Sequence, residues 1–351
     1  MKDTAAPYVE TLKNWRELEL PAPRTHWATG EEMGYIAPFN RAFGFSRIGF
    51  HHQRLLPGCR SAPPHAERTE EEMIVVLEGR PTLWSDGHVM RLERGHAAGW
   101  PSGTGHAHCL INDTDEPVRL LTIGEATRAV STVSFPVSPD VAAKAKQRSF
   151  LWDDAPQHKL GGHDGLSNTQ RGKPHGLKFK RRHDAVFWQD IQGKDNNTYQ
   201  GDKEKLAVGA HLSMHLGLRR VSVWLDELKP GRRTSWPHAE RDEEEFIYVF
   251  EGEPDVWING YLYRLTAGDC VGWPSGTGQA HTVINNTDKP VRLIVGGEAS
   301  RRNSGVWYPL HPKRMKQLKE RAWLDAPKQK MGPHKGVPDA TKPARKKAAK
   351  R

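Results

Sequence analysis

A stretch that occurs twice is the feature that most constrains this chain. Residues 64–79 read PHAERTEEEMIVVLEG, and residues 237–252 read PHAERDEEEFIYVFEG. The copies lie 173 positions apart, and the same offset aligns residues 45–126 with residues 218–299 without a gap. A duplication of this length in a chain of 351 residues predicts two domains of the same fold, each with its own core.

The pattern within each copy predicts short strands. The apolar runs at 73–77 and 246–250 are bounded by turn residues, which is typical of buried strands. The dipeptides Asp86-Gly87 and Asn259-Gly260 separate strand-like runs and predict tight hairpins, because a type I′ turn needs positive φ at both central residues. Closely spaced strands with turns between them indicate a small sandwich or barrel, so we expect an all-β fold.

Further elements are expected in equivalent places in the two copies. The strands are predicted at 45–56 and 118–123 and, in the second copy, at 218–229 and 291–295. Short surface helices are expected at 140–149 and 308–321.

Each repeated stretch contains a His and two Glu residues in a pattern that suits a cation. His65 and Glu67 are two positions apart, so in an extended strand both side chains face the same way. Glu72 then begins an apolar run, where a carboxylate is costly unless a positive charge balances it. A divalent metal ion would provide that charge. The equivalent residues of the second copy are His238, Glu240 and Glu245.

Composition excludes several classes of protein. The 52 basic and 42 acidic side chains give a formal net charge of +10, but residues 342–351 carry six of the basic groups and no acid. The rest of the chain is only modestly basic, so a nucleic-acid-binding surface is not indicated. No segment has the length of a membrane span or the pattern of a signal peptide, and the three cysteines lack metal-type spacing. Free thiols and a cytoplasmic location are therefore expected.

The repeat also predicts how the chain is divided. Residues 149–165 resemble residues 321–336, and we call these two segments the tail straps because we expect each to close a barrel. Residues 8–44 are expected to form one or two lead-in strands over the first domain. The predicted boundaries are a first domain at 1–163, a linker at 164–184, a second domain at 185–340 and a disordered basic tail at 341–351.

The motifs of both copies resemble those of the cupin superfamily, and the chain as a whole resembles a bicupin. The first family motif is His-x-His-x(3–4)-Glu-x(6)-Gly, which Glu72 and Gly79 match here. The second is Gly-x(5)-Pro-x-Gly-x-x-His-x(3)-Asn, which Gly95, Pro101 and Gly103 match. The resemblance implies tandem jelly-roll barrels, each with one divalent metal held by the His and Glu residues of its motifs.

The chain departs from the family motifs at two points. Glu67 and Glu240 replace the second His of the first motif. The second motif has a longer loop before its His, so counting from one end gives His106 and from the other His108. The second copy decides between them, because Gln279 stands at the position of His106. The implied metal ligands are therefore His65, Glu67, Glu72, His108, His238, Glu240, Glu245 and His281.

Two imidazoles and two carboxylates around a 2+ ion give a neutral site. More oxygen ligation favours Mn²⁺ or Fe²⁺ over Zn²⁺, although Zn²⁺ also suits such ligands. Four protein ligands in an octahedral shell leave two positions for a small oxygen-rich substrate, or for substrate and O₂. We expect replacement of Glu67 by His to make the metal more electrophilic.

These features leave two classes of function. The favoured one is a metal-dependent oxygenase or related oxidoreductase, ahead of an isomerase or decarboxylase of small acids or sugars. The alternative is a non-catalytic, metal-dependent module that binds or senses a small molecule. No membrane partner is indicated, and a homodimer is a further expectation because open sheet edges invite pairing.

A few other side chains are candidates for a role. Arg68 and Arg241 follow the ligand segments and would suit a substrate carboxylate, but a solvated loop position is the favoured explanation. Trp100 and Trp273 are expected either at a cavity mouth or in the core. His52 and His106 have no His in the second copy, so they are candidates for proton transfer in the first site or for buried, hydrogen-bonded histidines.

Overall fold

The computed structural model describes residues 6–126 and 130–339 and consists mainly of short antiparallel strands. The strands of the first half are β1 Leu12–Asn14, β2 Tyr35–Ala37, β3 Ile48–Leu55, β4 Ala66–Glu67, β5 Glu72–Glu78, β6 Thr82–Ser85, β7 His88–Arg91, β8 His96–Trp100, β9 His108–Ile111, β10 Val118–Glu125 and β11 Val133–Ser134. Those of the second half are β12 Ala185–Phe187, β13 Val208–His211, β14 Val221–Leu228, β15 Ala239–Glu240, β16 Glu245–Glu251, β17 Asp255–Ile258, β18 Tyr261–Arg264, β19 Asp269–Trp273, β20 His281–Ile284, β21 Val291–Glu298 and β22 Val306–Trp307.

Helices are few and short. They are α1 Trp15–Leu18, α2 Phe39–Phe43, α3 Pro139–Gln147, α4 Asn168–Arg171, α5 Leu212–His215 and α6 Pro312–Leu318, with 3-10 turns at Trp188–Ile191 and Lys319–Arg321. α3 and α6 confirm the two predicted surface helices, and both begin with a proline, which tolerates the first turn of a helix. Among the described residues, no helix has the length and apolar character needed to cross a bilayer.

Each half of the chain forms a jelly-roll barrel from a large and a small sheet. The large sheets have the strand orders β12-β8-β5-β10-β3-β2 and β1-β19-β16-β21-β14-β13. The small sheets have the orders β7-β6-β9 and β18-β17-β20, and the two-stranded pairs β4–β11 and β15–β22 lie beside them. The all-β fold class with two cupin-like barrels is therefore confirmed.

The predicted hairpins and tail straps form in both halves. Asp86 and Gly87 have φ of 46° and 77°, and Asn259 and Gly260 have φ of 46° and 89°, as a type I′ turn requires. Each strap binds its own barrel: the indole N–H of Trp84 donates to the carbonyl of residue 163 at 2.9 Å, and that of Trp257 donates to the carbonyl of residue 334 at 2.9 Å.

The two halves exchange edge strands. β1 pairs with β19 of the second barrel, Leu12 opposite Val271, while β12 pairs with β8 of the first barrel, Ala185 opposite Ala98. The expectation that the whole lead-in covers the first domain is wrong for β1. The predicted boundaries at 163 and 184 stay predictions, and the basic tail at 341–351 lies outside the described residues.

A shared apolar core joins the barrels. Alternate residues of β3, starting at Ile48, point away from the first barrel and meet the equivalent face of β14, starting at Val221. Phe50 stacks on Phe246 of the second barrel with ring centroids 4.1 Å apart. Burial of each such ring contributes about 1.5–3 kcal/mol to stability, so the halves are held together by a true core.

Candidate metal centres

Backbone pairing brings the two predicted His ligands of each barrel together. His65 lies immediately before β4, and His108 begins β9. The backbone N–H of each His donates to the backbone carbonyl of the other, with N···O distances of 3.2 and 2.9 Å. His238 and His281 pair in the same way, at 3.2 and 2.8 Å. The repeated register thus places residues 43 positions apart in sequence side by side in each barrel.

In the first barrel, Glu72 faces this histidine pair. Its Oε2 lies 3.4 Å from His108 Nε2 and 3.8 Å from His65 Nε2. Ligand-type atoms of the three side chains all lie within 4.8 Å of one another, close enough to share an ion. Glu67 is at the edge of this group, with its Oε1 3.8 Å from His65 Nε2.

The second barrel repeats the arrangement. Glu245 Oε2 lies 3.2 Å from His281 Nε2, and His238 completes a group of ligand-type atoms within 4.8 Å. Glu240 Oε1 lies 3.8 Å from His238 Nε2, matching the position of Glu67. Six of the eight predicted ligands thus form two compact groups, and the other two contact a His of each group. Their assignment as metal ligands remains a prediction.

The histidines are oriented by backbone carbonyls. Nδ1 of His65 lies 2.9 Å from the carbonyl oxygen of Pro63, and Nδ1 of His238 lies 2.9 Å from that of Trp236. An Nδ1–H that donates to a carbonyl leaves Nε2 as the nitrogen that faces the carboxylates and binds a metal once its proton is displaced. This tautomer, inferred from the hydrogen bonds, is the one that binds a metal through Nε2.

Two tryptophans fix the other pair of imidazoles. Trp100 stacks on His108 with ring centroids 3.5 Å apart and planes 5° apart, and Trp273 stacks on His281 at 3.7 Å and 11°. Both indoles are almost fully buried, at 4% and 3% exposure. Of the two placements expected for these tryptophans, the structure shows the core, where each ring lies flat against a candidate ligand.

The acids and imidazoles of the first site strongly shift one another's pKa values. Burial raises the pKa of Glu67 to about 7, against the opposing charge of His65. Burial disfavours ionisation of Glu72 as well, but contacts with His108 and His65 outweigh it and hold the pKa of Glu72 well below its ordinary value. Burial also disfavours protonation of His65, yet Glu72 and Glu67 raise the pKa of His65 to about 9. Protons thus take the place that a 2+ ion would fill.

The second site has shifted pKa values as well, together with carboxylate oxygens that lack hydrogen-bond partners. Burial and the neighbouring Glu245 raise the pKa of Glu240, while burial lowers the pKa of His238. Oε2 of Glu240 and Oε2 of Glu245 are buried and have no hydrogen-bond partner among the described residues, since the 3.2 Å contact to His281 lacks hydrogen-bond geometry. Buried, unpartnered carboxylate oxygens beside the imidazole rings of His238 and His281 fit a divalent cation.

A residue that sequence reasoning missed distinguishes the two sites. The strand register sets Glu72 opposite Gly124 and Gly124 opposite Gly49, so His51, two residues from Gly49, faces the same side of the sheet as Glu72. Burial, followed by the charge of Arg24, lowers the pKa of His51 to about 4. The equivalent residue of the second barrel is Trp224. The sequence signal was the alternation along β3, which sets His51 on the face opposite to Ile48, Phe50 and His52.

The two histidines considered for proton transfer lie elsewhere. His52 points into the core between the barrels, where it stacks on Trp15 with ring centroids 4.3 Å apart. His106 lies in the loop before β9 and contacts Asp86 at 2.7 Å. Neither belongs to the two groups of candidate ligands that contain Glu72 and Glu245. Arg241 binds Asp242 at the surface, which fits the loop interpretation of that arginine.

Comparison with known proteins agrees with this geometry. A cupin domain model matches residues 51–124 and again residues 224–297. The chain is a bicupin. No curated protein matches it by sequence.

Solved structures share the fold of this bicupin at low sequence identity. The formate complex of Lactobacillus farciminis oxalate decarboxylase is 14% identical, with a TM-score of 0.52 over 89% of this chain and 91% of the other. Bacillus subtilis oxalate decarboxylase at pH 4.6 is 14% identical, with a TM-score of 0.53 over 92% and 86%. A variant of the Bacillus subtilis enzyme is 14% identical, with a TM-score of 0.54 over 93% of this chain and 87% of the other. The shared feature is the two-barrel architecture.

Proposed function

We propose that each barrel binds one divalent metal ion through its two His and two Glu residues. The main support is the pair of unpartnered, buried carboxylate oxygens on Glu240 and Glu245, beside His238, whose Nδ1 lies against a backbone carbonyl and leaves Nε2 for a metal. The first barrel has the same residue types in the same register, and Glu67 would join His65, Glu72 and His108 there. Mn²⁺ and Fe²⁺ suit this oxygen-rich set best, followed by Zn²⁺.

We further propose that the ions bind a small oxygen-rich molecule, such as a carboxylic acid. A bound metal supplies Lewis-acid character and open coordination positions for oxygen ligands. Glu72 and Glu245 side chains remain about one quarter exposed, at 26% and 25%, which supports access to the centres from one side. The four protein ligands leave room for a bidentate acid or for substrate together with O₂.

The first barrel is the better candidate for catalysis. His51, held neutral by its surroundings, faces the same side of the sheet as Glu72 and could move a proton to or from a bound molecule. Trp224 occupies that place in the second barrel, and Tyr308 there replaces Phe135. These substitutions support different roles for the two centres. The proposed activity is that of an oxygenase or related oxidoreductase, with isomerase or decarboxylase activity less favoured.

Metal content measured by elemental analysis tests the first part of the proposal. Glu72→Ala and Glu245→Ala are each expected to hold one ion fewer than the wild-type chain. Glu93→Ala, at an exposed position outside both barrels' sites, is the matched control. Equal metal content in all four proteins would contradict the proposed ligands.

Turnover distinguishes the two functional classes. The metal-loaded protein is assayed for O₂ uptake and CO₂ release with a panel of small acids and sugars, and His51→Leu is expected to lower kcat without loss of metal. CO₂ release without O₂ uptake would favour a decarboxylase, the reaction named for the structural neighbours, over an oxygenase. Tight metal binding without turnover on any panel member would support the alternative, a non-catalytic module that binds a small acid or sugar.

A further inference from the structure

A third group of metal-ligating side chains lies on the first barrel, outside both candidate centres. Ligand-type atoms of Asp86, His106 and His158 all lie within 4.8 Å of one another, as close as those of the barrel groups. His106 Nδ1 lies 2.7 Å from Asp86 Oδ2, and the rings of His106 and His158 stack with centroids 3.8 Å apart. Three separate segments therefore converge here: the β6–β7 hairpin, the loop before β9 and the first tail strap.

The group is accessible to an ion from solvent. The side chain of His106 is 32% exposed, while Asp86 is 6% exposed and held in place because its Oδ1 accepts the backbone N–H of Ala107 at 2.9 Å. The exposed ring of His183 lies 6.1 Å from that of His106, in an edge-on arrangement. A fourth nitrogen is therefore within reach after a side-chain rotation.

The second barrel has equivalent hydrogen bonds at this place but no metal-ligating side chains. Asn259 replaces Asp86, and its Oδ1 accepts the backbone N–H of Ala280 at 2.9 Å, just as Asp86 accepts that of Ala107. Gln329 replaces His158 in the second strap. Its Nε2 donates to the carbonyl of residue 277 at 2.8 Å, and His158 Nε2 contacts the carbonyl of residue 104 at 2.8 Å.

The third position also has an amide side chain in the second barrel, because Gln279 stands where the first barrel has His106. Asn259 and Gln329 thus make the structural hydrogen bonds of this corner without any ligand for a transition metal, while Oε1 of Gln279 is buried without a hydrogen-bond partner among the described residues. The fold does not need Asp and His at these positions. Their presence in the first barrel alone calls for another explanation.

We propose that Asp86, His106 and His158 form a third metal site, specific for a borderline divalent ion such as Zn²⁺. Two imidazoles and one carboxylate are a common Zn²⁺ ligand set, and a fourth position can be filled by water or His183. An ion bound between Asp86 and His106 replaces their mutual hydrogen bond with two metal–ligand bonds. The ligands come from both the hairpin and the first tail strap, so a bound ion connects these two segments and should stabilise the strap.

The second barrel supplies the matched variant that tests this site. His106→Gln/His158→Gln gives the first barrel the residues that the second barrel already folds with, so the fold is expected to be kept, as far-UV circular dichroism will check. The full-length protein is loaded with Zn²⁺, freed of excess metal and analysed for zinc per chain. The double variant is expected to hold one ion fewer than wild type. Co²⁺ titration provides a second readout, because a His-ligated Co²⁺ band should be reduced in the variant.

Further variants separate this site from the barrel centres. The same two substitutions are placed in a Glu72→Ala/Glu245→Ala background, where the difference of one ion should persist even if the barrels bind nothing. Asp86→Asn provides an independent variant if the double substitution unfolds, and it should weaken Zn²⁺ binding at least tenfold. Unchanged zinc content and an unchanged Co²⁺ spectrum in His106→Gln/His158→Gln would overturn the proposal.

Discussion

The carboxylate of Glu244 in the second barrel accepts a hydrogen bond of 2.9 Å from the backbone N–H of Ile48 in the first. The same carboxylate accepts the N–H groups of Ser46 and Arg47, at 2.8 and 3.0 Å. Glu71 mirrors it by accepting the N–H groups at 219, 220 and 221, at 2.8–3.1 Å. Each of these acids directly precedes a candidate metal ligand, so each ligand-bearing strand is anchored by the other barrel.

Glu244→Gln should therefore destabilise the whole chain. An amide has one acceptor oxygen and no charge, so it leaves three backbone donors poorly paired. The Ile48 N–H is buried between the barrels, and the N–H groups of Ser46 and Arg47 are partly buried. Because hydrogen bonds to charged groups are worth about 1.5–3 kcal/mol each, we expect a loss of about 2–4 kcal/mol in the free energy of unfolding. Chemical denaturation measures it. Glu93→Gln, the same change at an exposed site, should alter stability by less than about 0.5 kcal/mol, and equal effects would refute the anchoring role.

Trp100→Leu should weaken metal binding in the first barrel while leaving the second intact. The indole holds the plane of His108, and loss of such an orienting group typically costs 10–100-fold in metal affinity. Trp100→Phe retains a flat ring and should have a smaller effect. Metal affinity measured by titration of the two variants checks the order, and an equal loss in both would mean that Trp100 acts only by filling space.

His52→Leu should stabilise the chain. His52 is fully buried, and neither ring nitrogen has a hydrogen-bond partner among the described residues, whereas the second barrel has Leu225 at this position. An unsatisfied buried polar group costs about 1–3 kcal/mol, partly offset here by loss of the stack on Trp15. We expect a gain of about 1 kcal/mol at pH 7, seen as a higher Tm. A lower Tm would show that the stack outweighs the unpaired nitrogens.

The same residue should make wild-type stability depend on pH. Burial, followed by the charge of Arg119, lowers the pKa of His52 to about 3, while an unfolded His titrates near 6.5. The unfolded chain therefore binds the extra proton first, and stability present above pH 6.5 is lost as pH falls towards 3, by about 1.4 kcal/mol per pH unit from this group. The variant should lose less stability than wild type between pH 6.5 and 4.5. Parallel Tm curves for the two proteins would contradict the buried, neutral state.

Gly87→Ala should lower the free energy of unfolding more than Gly172→Ala does, although both glycines have positive φ, of 77° and 68°. A Cβ at Gly87 would lie 2.5 Å from the backbone nitrogen of Gly161 in the first tail strap, whereas nothing lies within 4 Å of one at Gly172. We expect the backbone strain to destabilise the chain by about 1–2 kcal/mol at either position. The clash should add a further loss of about 1–3 kcal/mol at Gly87. Thermal unfolding compares them, and equal losses would mean that the strap moves aside freely.

Much of the barrel architecture could be read from the sequence because its signals are local and occur twice. Asp86-Gly87 and Asn259-Gly260 predict their own turns, and the repeated His and Glu residues predict which side chains meet. The register of β3 was harder to interpret, because both faces of that strand are buried. A period of two shows that Ile48, Phe50 and His52 share a face, but not whether this face lines the barrel or the other domain, and His51 was missed for that reason.

The sequence by itself determined that this chain folds as two similar all-β barrels with a candidate metal group in each, since spacing, turn residues and ligand types are written in adjacent positions and confirmed by the second copy. Only the tertiary structure decided that β1 and β12 cross to the opposite barrel, that Glu71 and Glu244 bind the other domain, and that Asp86, His106 and His158 meet. These relationships depend on contacts between segments far apart in the chain. Short edge strands and single polar side chains carry no local signal of the partner that will satisfy their hydrogen bonds.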